Sequence, residues 1–290
     1  YEHKYTFIHN EGVFLMQITK ENLTIIIVTI KSEKIIDECI KSIPPEIKKI
    51  IIENSSNEDF IKNLKKKYKN LEGFVTGKNL GMGAGNNFGI NKSVSRYVMI
   101  LNPDTILKKD TLELIFKVSK NLDFAILSPL CDNKDYPNYK INKSKIEINR
   151  DLFDVDRVDG YAMILDTSKF EKKFFDEKIF MYLENDDLCL RIKNKREKIF
   201  VCNKSLITHL GAKAVNDIYF NEIELSRNWH WNWSKFYFRK KHYGFFNAFL
   251  FGFPVFLKSC LKCVIYLILN NKIKFKLYSF RVLGFLNSLM

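Results

Sequence analysis

Leu23-Thr24-Ile25-Ile26-Ile27-Val28-Thr29 carries no charge, and its β-branched run is what a strand buried on both faces requires. The next segment has a different period. Ile35, Ile36, Cys39, Ile40 and Ile43 share one helical face, Ser32 stands where a cap belongs, and Pro44-Pro45 ends the segment. Lys48–Glu53 reads as a second strand, residues 60–68 as a basic amphipathic helix and residues 73–76 as a short strand. Residues 83–92 then read as a helix and Tyr97–Leu101 as the most apolar strand of the chain. Strand and helix alternating through short connections predict an α/β fold with a mostly parallel central sheet. Ligands of such sheets bind beyond the carboxyl ends of the strands.

The alternation continues with a helix over 110–120 and a strand over 124–129. A polar Lys- and Asn-rich surface excursion over 131–151 comes next, followed by a strand over 158–165, a helix from the acidic cluster at 184, and a strand over 199–202. The 290 residues are 46% hydrophobic, enough for a full core and against general disorder. Six scattered cysteines fit a reduced compartment better than a disulfide framework, and Cys260-x-x-Cys263 lacks the second pair or nearby His that a zinc site needs. No signal-peptide pattern stands in residues 1–22.

The net charge of +14 points to nucleic acid until it is located. No Asp or Glu follows Glu224, whereas eleven Lys and Arg do, so the body is close to neutral and the tail carries the charge. That tail opens with Trp229, Trp231, Trp233, Phe236 and Tyr237 among basic residues, and continues as apolar runs interrupted by Pro254, Lys258 and Lys262. The pattern suits a helical region lying on an anionic membrane surface, and the partners expected exclude nucleic acid. The domains expected are an extension over 1–22, a nucleotide-binding domain over 23–228 and a membrane-associating region over 229–290.

Four clusters follow strands. Glu53-Asn54-Ser55-Ser56 offers groups to a base or ribose, or is turn chemistry. The stretch 79–89 is glycine-rich and opens a helix, letting backbone approach a ligand closely. Its Asn86 stands where a dinucleotide fingerprint has its third glycine. Asn102-Pro103-Asp104 places a carboxylate where a divalent cation on a diphosphate would sit, or where a turn needs a cap. Glu184-Asn185-Asp186-Asp187 offers a general base with a raised pKa, or a helix start favoured by the macrodipole. His209 is a lone histidine, structural or a ligand.

In this order and spacing the clusters resemble the family 2 inverting glycosyltransferases, particularly their rhamnosyltransferase-like branch. The matching stretches are 24–29, 51–56, 79–89, 101–104, 159–165, 182–191 and 208–211. The resemblance implies a GT-A fold and transfer of rhamnose or a similar sugar from a dTDP- or UDP-linked donor. It implies a glycan or lipid-linked acceptor, in cell-surface polysaccharide synthesis at the cytoplasmic face of the membrane. It implies Mg²⁺ or Mn²⁺ held by Asp104 and His209, nucleotide contacts from Thr29 and Glu53, and a donor pocket lined by Asn79, Gly81, Asn86 and Asn102. Gly160 and Ala162 would line the sugar side. Two departures stand out. Ile30 and Lys31 follow Thr29 where the family usually has an aromatic and Asn, and Asn185 replaces the Asp expected as base. An amide accepts no proton, so Glu184 or Asp187 would have to be the catalytic carboxylate, ahead of Asp186 if that residue faces away. Rival readings are a methyltransferase or dehydrogenase using the glycine loop, a non-catalytic membrane or nucleic-acid binder, and a degenerate transferase that binds donor without turnover.

Overall fold

A computed structural model describes residues 16–141, 147–149, 151–171, 174–211 and 220–290. Residues 1–15 of the expected extension, and residues 142–146 and 150 of the expected excursion, lie outside the described residues.

The first half holds β1 (Leu23–Thr29), α1 (Ile36–Ser42), β2 (Lys48–Glu53), α2 (Glu58–Lys67), β3 (Leu71–Val75), α3 (Met82–Lys92) and β4 (Tyr97–Leu101). After it come β5 (Thr105–Leu107), α4 (Thr111–Ser119), β6 (Ile126–Cys131), β7 (Tyr139–Lys140), β8 (Glu147–Asn149), β9 (Leu152–Asp154), β10 (Arg157–Val158) and β11 (Ala162–Asp166). The chain closes with α5 (Glu184–Asn194), β12 (Ile199–His209), α6 (Phe220–Tyr243), α7 (Phe245–Ile268) and α8 (Lys272–Leu289).

Sheet order is β3-β2-β1-β4-β11-β6-β12-β9-β8, with β5 joined to β12. The four strands from β3 to β4 are parallel, as the alternation requires. Beyond them the sheet is mixed, because β11 runs antiparallel to both β4 and β6. β1 explains its own sequence. Ile25 and Ile27 point into the core beneath α1 and α2, while Ile26 and Val28 point into the core beneath α3, so all four central positions are apolar.

Several segments differ from the sequence expectation. Ser32 does not cap α1: its hydroxyl donates to Ile30 O, and the cap residue is Ile35. The strand read over 158–165 is two strands, β10 and β11, separated by Asp159-Gly160-Tyr161. The strand read over 199–202 continues to His209, past a register shift between Cys202 and Leu206. The 131–151 excursion is partly built into the fold, with Asn138 fully buried and β7 paired to β10. Residues 16–22 dock on the body, where Ile18 is fully buried and its N–H meets Ser119 Oγ.

The tail also departs from expectation. α6 runs unbroken across the 228–229 boundary read from composition, and α7 runs unbroken through Pro254, Lys258 and Lys262. The three helices share a small core of Phe236, Ala248 and Phe285. α7 is long and apolar enough to cross a membrane, with only 11% of its most apolar window buried.

Candidate functional site

Beyond the carboxyl ends of β1, β2 and β4 lies a cavity of about 730 Å³, within the usual range for small-molecule sites. Thr29, Lys31 and Asn54 line one side, Asn79, Gly81 and Asn86 the next, and Asn102 and Pro103 the floor. Asp159, Gly160, Tyr161, Glu184 and Asn185 form the opposite wall. Glu53 lies just behind the lining, 1% exposed, with Ser55 Oγ donating to Oε1 at 2.5 Å. Burial raises the Glu53 carboxyl above its ordinary pKa.

The glycine loop lines the cavity, but its glycines are required by packing against protein. Gly81 has φ 86°, and a β-carbon there would meet Phe180 O at 2.3 Å. Met82 N–H donates to that same carbonyl at 2.9 Å. Further along α3, a β-carbon on Gly85 or Gly89 would strike Val28 or Ile26 of β1. These glycines seat α3 on the sheet, which corrects their reading as a close backbone approach to an anion and removes the support for a dinucleotide or methyl-donor cradle. Asn54 ties the loop down, accepting from Thr76 Oγ1 and Leu80 N and donating to Gly81 O and Asn79 Oδ1.

Asp104 and His209 meet because β5 pairs with the end of β12, aligning Thr105 with His209. Asp104 is 3% exposed, and its Oδ1 stands 3.3 Å from His209 Nε2 without a hydrogen-bond partner. The His209 ring stacks on Tyr161, centroids 4.0 Å apart. Among the described residues no group of three or more His, Cys, Asp or Glu is placed to hold a metal. The donor set nevertheless fits Mg²⁺ or Mn²⁺ that a substrate diphosphate completes. Hard cations take one or two carboxylates in such sites, and an unpartnered buried carboxylate oxygen is available here.

The acidic cluster divides at α5. Tyr182 and Leu183 both have left-handed backbone, φ 69° and 67°, and this turn swings Glu184 onto the cavity wall. Burial, reinforced by Asp186, pushes the Glu184 carboxyl up to about 7. Asp186 pairs with Arg157. Asp187 faces away from the cavity, 0% exposed, contacting Arg191 Nε at 2.9 Å, Lys241 Nζ at 2.6 Å and His242 Nε2 at 2.7 Å. Its reading as a catalytic base is therefore corrected: its lone pairs face cations that lock α5 to α6, and no acceptor reaches it.

Sequence reasoning missed α6 as part of the site. Ile223, Ser226, Arg227 and His230 line the cavity, His230 stacking on Phe180 with centroids 4.4 Å apart. Burial lowers the His230 pKa. Ser234 Oγ donates to Met181 O, and Tyr237 OH and Lys241 bond Asp176. The signal was present as aromatic residues at helical spacing, but the neighbouring charge drew it into the membrane reading. Missed too was what the cavity leaves unmet. Thr29 Oγ1, Glu53 Oε2, Asn86 Oδ1, Asp104 Oδ1, Glu184 Oε2 and His230 Nδ1 are all buried without a hydrogen-bond partner. Thr29, Asn86, Glu184 and His230 line the cavity, whereas Glu53, Asp104 and His209 are not among its lining residues. Buried polar atoms are ordinarily paired, so the orphans on the lining mark a ligand's place.

The sequence matches Glycosyl transferase family 2 over residues 24–187, more than half of the chain. The chain belongs to that family. Among curated proteins it is similar to the low-salt glycan biosynthesis hexosyltransferase Agl10 of Haloferax volcanii, 25% identical over 209 residues, 65% of this chain and 67% of that one. It is also similar to the rhamnosyltransferase WbbL of Escherichia coli K12, 29% identical over 175 residues, 50% of this chain and 66% of that one. It thus spans about two thirds of the length of these relatives. Among solved structures, the mannosyltransferase PcManGT of Pyrobaculum calidifontis, in complex with GDP-Man and Mn²⁺, superposes with a TM-score of 0.55 at 10% identity, covering 92% of this chain and 87% of that one. S. aureus TarS 1–349 in complex with UDP gives a TM-score of 0.54 at 14% identity, covering 93% and 92%. The fold is that of the GT-A glycosyltransferases.

Proposed function

We propose that this glycosyltransferase moves a hexose, rhamnose or a close relative, from a dTDP- or UDP-linked donor to a glycan or lipid-linked acceptor, with inversion, in glycan synthesis at the cytoplasmic face of a membrane. The observation that carries the reading is the cluster of unpartnered buried polar atoms around one cavity at the carboxyl ends of β1, β2 and β4. The names of the two relatives, a hexosyltransferase of glycan biosynthesis and a rhamnosyltransferase, support the sugar and pathway class.

Thr29 and Glu53 then hold the nucleoside, and Asn79, Gly81 and Asn86 wall the donor pocket. Asn102 and Asp104, with His209 behind, face the diphosphate. A Mg²⁺ or Mn²⁺ ion bound by Asp104 and His209 would supply charge neutralisation to the leaving diphosphate. Gly160 lines the cavity on the sugar side, where a β-carbon would make ordinary contact with Asn185 at 3.4 Å. Glu184 accepts the acceptor hydroxyl's proton as its oxygen attacks the anomeric carbon. A carboxyl held near pH 7 suits that task. α7 and α8 supply the membrane contact, presenting exposed apolar side chains beside Lys258, Lys262, Lys272, Lys274 and Lys276. The chain then divides into a catalytic unit over 23–228 and a membrane-associating region over 229–290, with α6 belonging to both.

The reading is tested by the melting temperature of the full chain with dTDP, UDP and their sugars, with and without Mn²⁺. A ligand that binds the folded state raises it by mass action. The expected result is a cation-dependent rise with one nucleotide series that Asp104→Ala abolishes, its affinity falling roughly 10²-fold or more. A rise with S-adenosylmethionine or NAD alone would refute it.

A further inference from the structure

Residue 185 holds the second place of the acidic motif, and here its side chain is spent on the backbone. Asn185 Nδ2 donates to Val158 O at 2.9 Å. The wall it forms continues into Asp159 and Gly160, where a β-carbon on Gly160 would stand 3.4 Å from Asn185 Cβ. Asp159 lines the same cavity as Glu184 and Asn185.

The neighbouring carboxylates have structural employment. Asp186 pairs with Arg157, Asp187 with Arg191, Lys241 and His242, and Asp176 with Lys241 and Tyr237. Asp159 does not. Its closest cation, Arg157, is 3.9 Å away, beyond hydrogen-bond reach, and that guanidinium is committed to Asp186. Its backbone is fixed: the N–H donates to Asn138 O at 2.8 Å, and fully buried Asn138 is bonded in turn to Cys131 N, Ser128 Oγ and Pro129 O. A carboxylate held on a rigid support, facing a cavity and unspent on structure, is placed for substrate. Burial raises its pKa and Asp186 adds to the rise, while Arg157, His209 and Lys140 oppose it, so it is a better proton acceptor than a free aspartate.

We propose that Asp159 is a second proton-accepting carboxylate of this cavity, acting beside Glu184 in the wall where residue 185 presents an amide. The inference rests on the transferase reading of the site. The acceptor hydroxyl gives up a single proton, so Asp159 takes it where Glu184 already holds one. The acceptor oxygen bonds to the anomeric carbon as that proton passes to the Asp159 carboxylate instead of to Glu184. The bond from that carbon to the phosphate oxygen breaks, and the nucleoside diphosphate leaves with the electron pair. A degenerate transferase, suggested by Asn185 alone, is not required when a carboxylate stands in the adjoining position.

The test uses UDP-glucose and dTDP-rhamnose with Mn²⁺ and follows nucleoside diphosphate release with water as acceptor, in the wild type, Asp159→Asn and Asp159→Ala. Asp159→Asn is expected to lose about tenfold or more in release, with UDP and dTDP affinity held within about twofold. Azide, a nucleophile with no proton to give up, is expected to restore release in Asp159→Ala and to yield the glycosyl azide. Release in Asp159→Asn close to that of the wild type overturns the proposal. So does a loss that azide leaves unrestored while nucleotide affinity falls in parallel. Failure of the wild type to bind either nucleotide with Mn²⁺ strikes instead at the transferase reading, and the proposal goes with it.

Discussion

The cavity and the tail of this molecule are incomplete in opposite ways. Around the cavity, polar side-chain atoms are buried and have no partner, Asp104 Oδ1, Asn86 Oδ1 and Glu184 Oε2 among them. On α7 and α8, apolar side chains are exposed and have no cover: Phe246 is 84% exposed, Ile268 77% and Ile273 74%. Each deficit costs free energy in the isolated chain, and each names what would relieve it. Orphaned oxygens call for a polar ligand. An uncovered apolar helix of about 36 Å is long and apolar enough to cross a membrane. α6 joins the two regions, since His230 and Arg227 line the cavity while Phe236 packs under α7 and α8.

That join is where the comparison breaks most severely. Asp187→Ala would leave Lys241, Arg191 and His242 without their shared anion and loosen α6 from α5. Removing one partner of a buried pair costs about 3 kcal/mol or more. Urea unfolding should show a loss of that size, with turnover falling only as far as the folded fraction does; unchanged stability would refute the clamp. Next in size is the tail. Changing Lys272, Lys274 and Lys276 together to Ala should weaken partition onto phosphatidylglycerol vesicles by roughly 10²-fold, at about 1 kcal/mol per charge. Nucleotide binding should be untouched. Equal binding of wild type and variant to anionic and neutral vesicles would detach charge from docking.

The remaining effect, on stability as a function of pH, belongs to Glu184. Its folded-state pKa is raised to about 7 from an ordinary 4.5, so the folded protein holds a proton that the unfolded chain releases between those values. Stability contributed by this group is therefore present below about pH 4.5 and falls away as pH rises through 7. Glu184→Gln should melt slightly higher than wild type above pH 7 and equally near pH 4.5.

The parallel half of the sheet was legible because its strands are buried on both faces, leaving continuous runs such as Leu23–Thr29 and Tyr97–Leu101 that match the observed bounds. The mixed half was less so. β10 and β11 read as one strand, but Asp159-Gly160-Tyr161 interrupts the run, and Asp159 is held from afar, its N–H donating to Asn138 O. Within the site, residues at strand ends were visible, but their orientation was not. Four consecutive residues, 184–187, look equivalent in sequence, yet a left-handed turn at Tyr182 and Leu183 sends Glu184 to the cavity and Asp187 into the α5–α6 seam. Lys241 and His242, which claim Asp187 from α6, stand far along the chain from it, beyond the reach of any local motif.

The most direct test of the account is turnover of UDP- and dTDP-linked sugars by the wild type and Glu184→Gln, following nucleoside diphosphate release at pH 7.5 with Mn²⁺ and anionic vesicles. The account predicts release by the wild type and a drop of roughly 10²-fold in the variant at unchanged nucleotide affinity. Full release by Glu184→Gln, or none by a wild type that binds the donor and its cation, would contradict it.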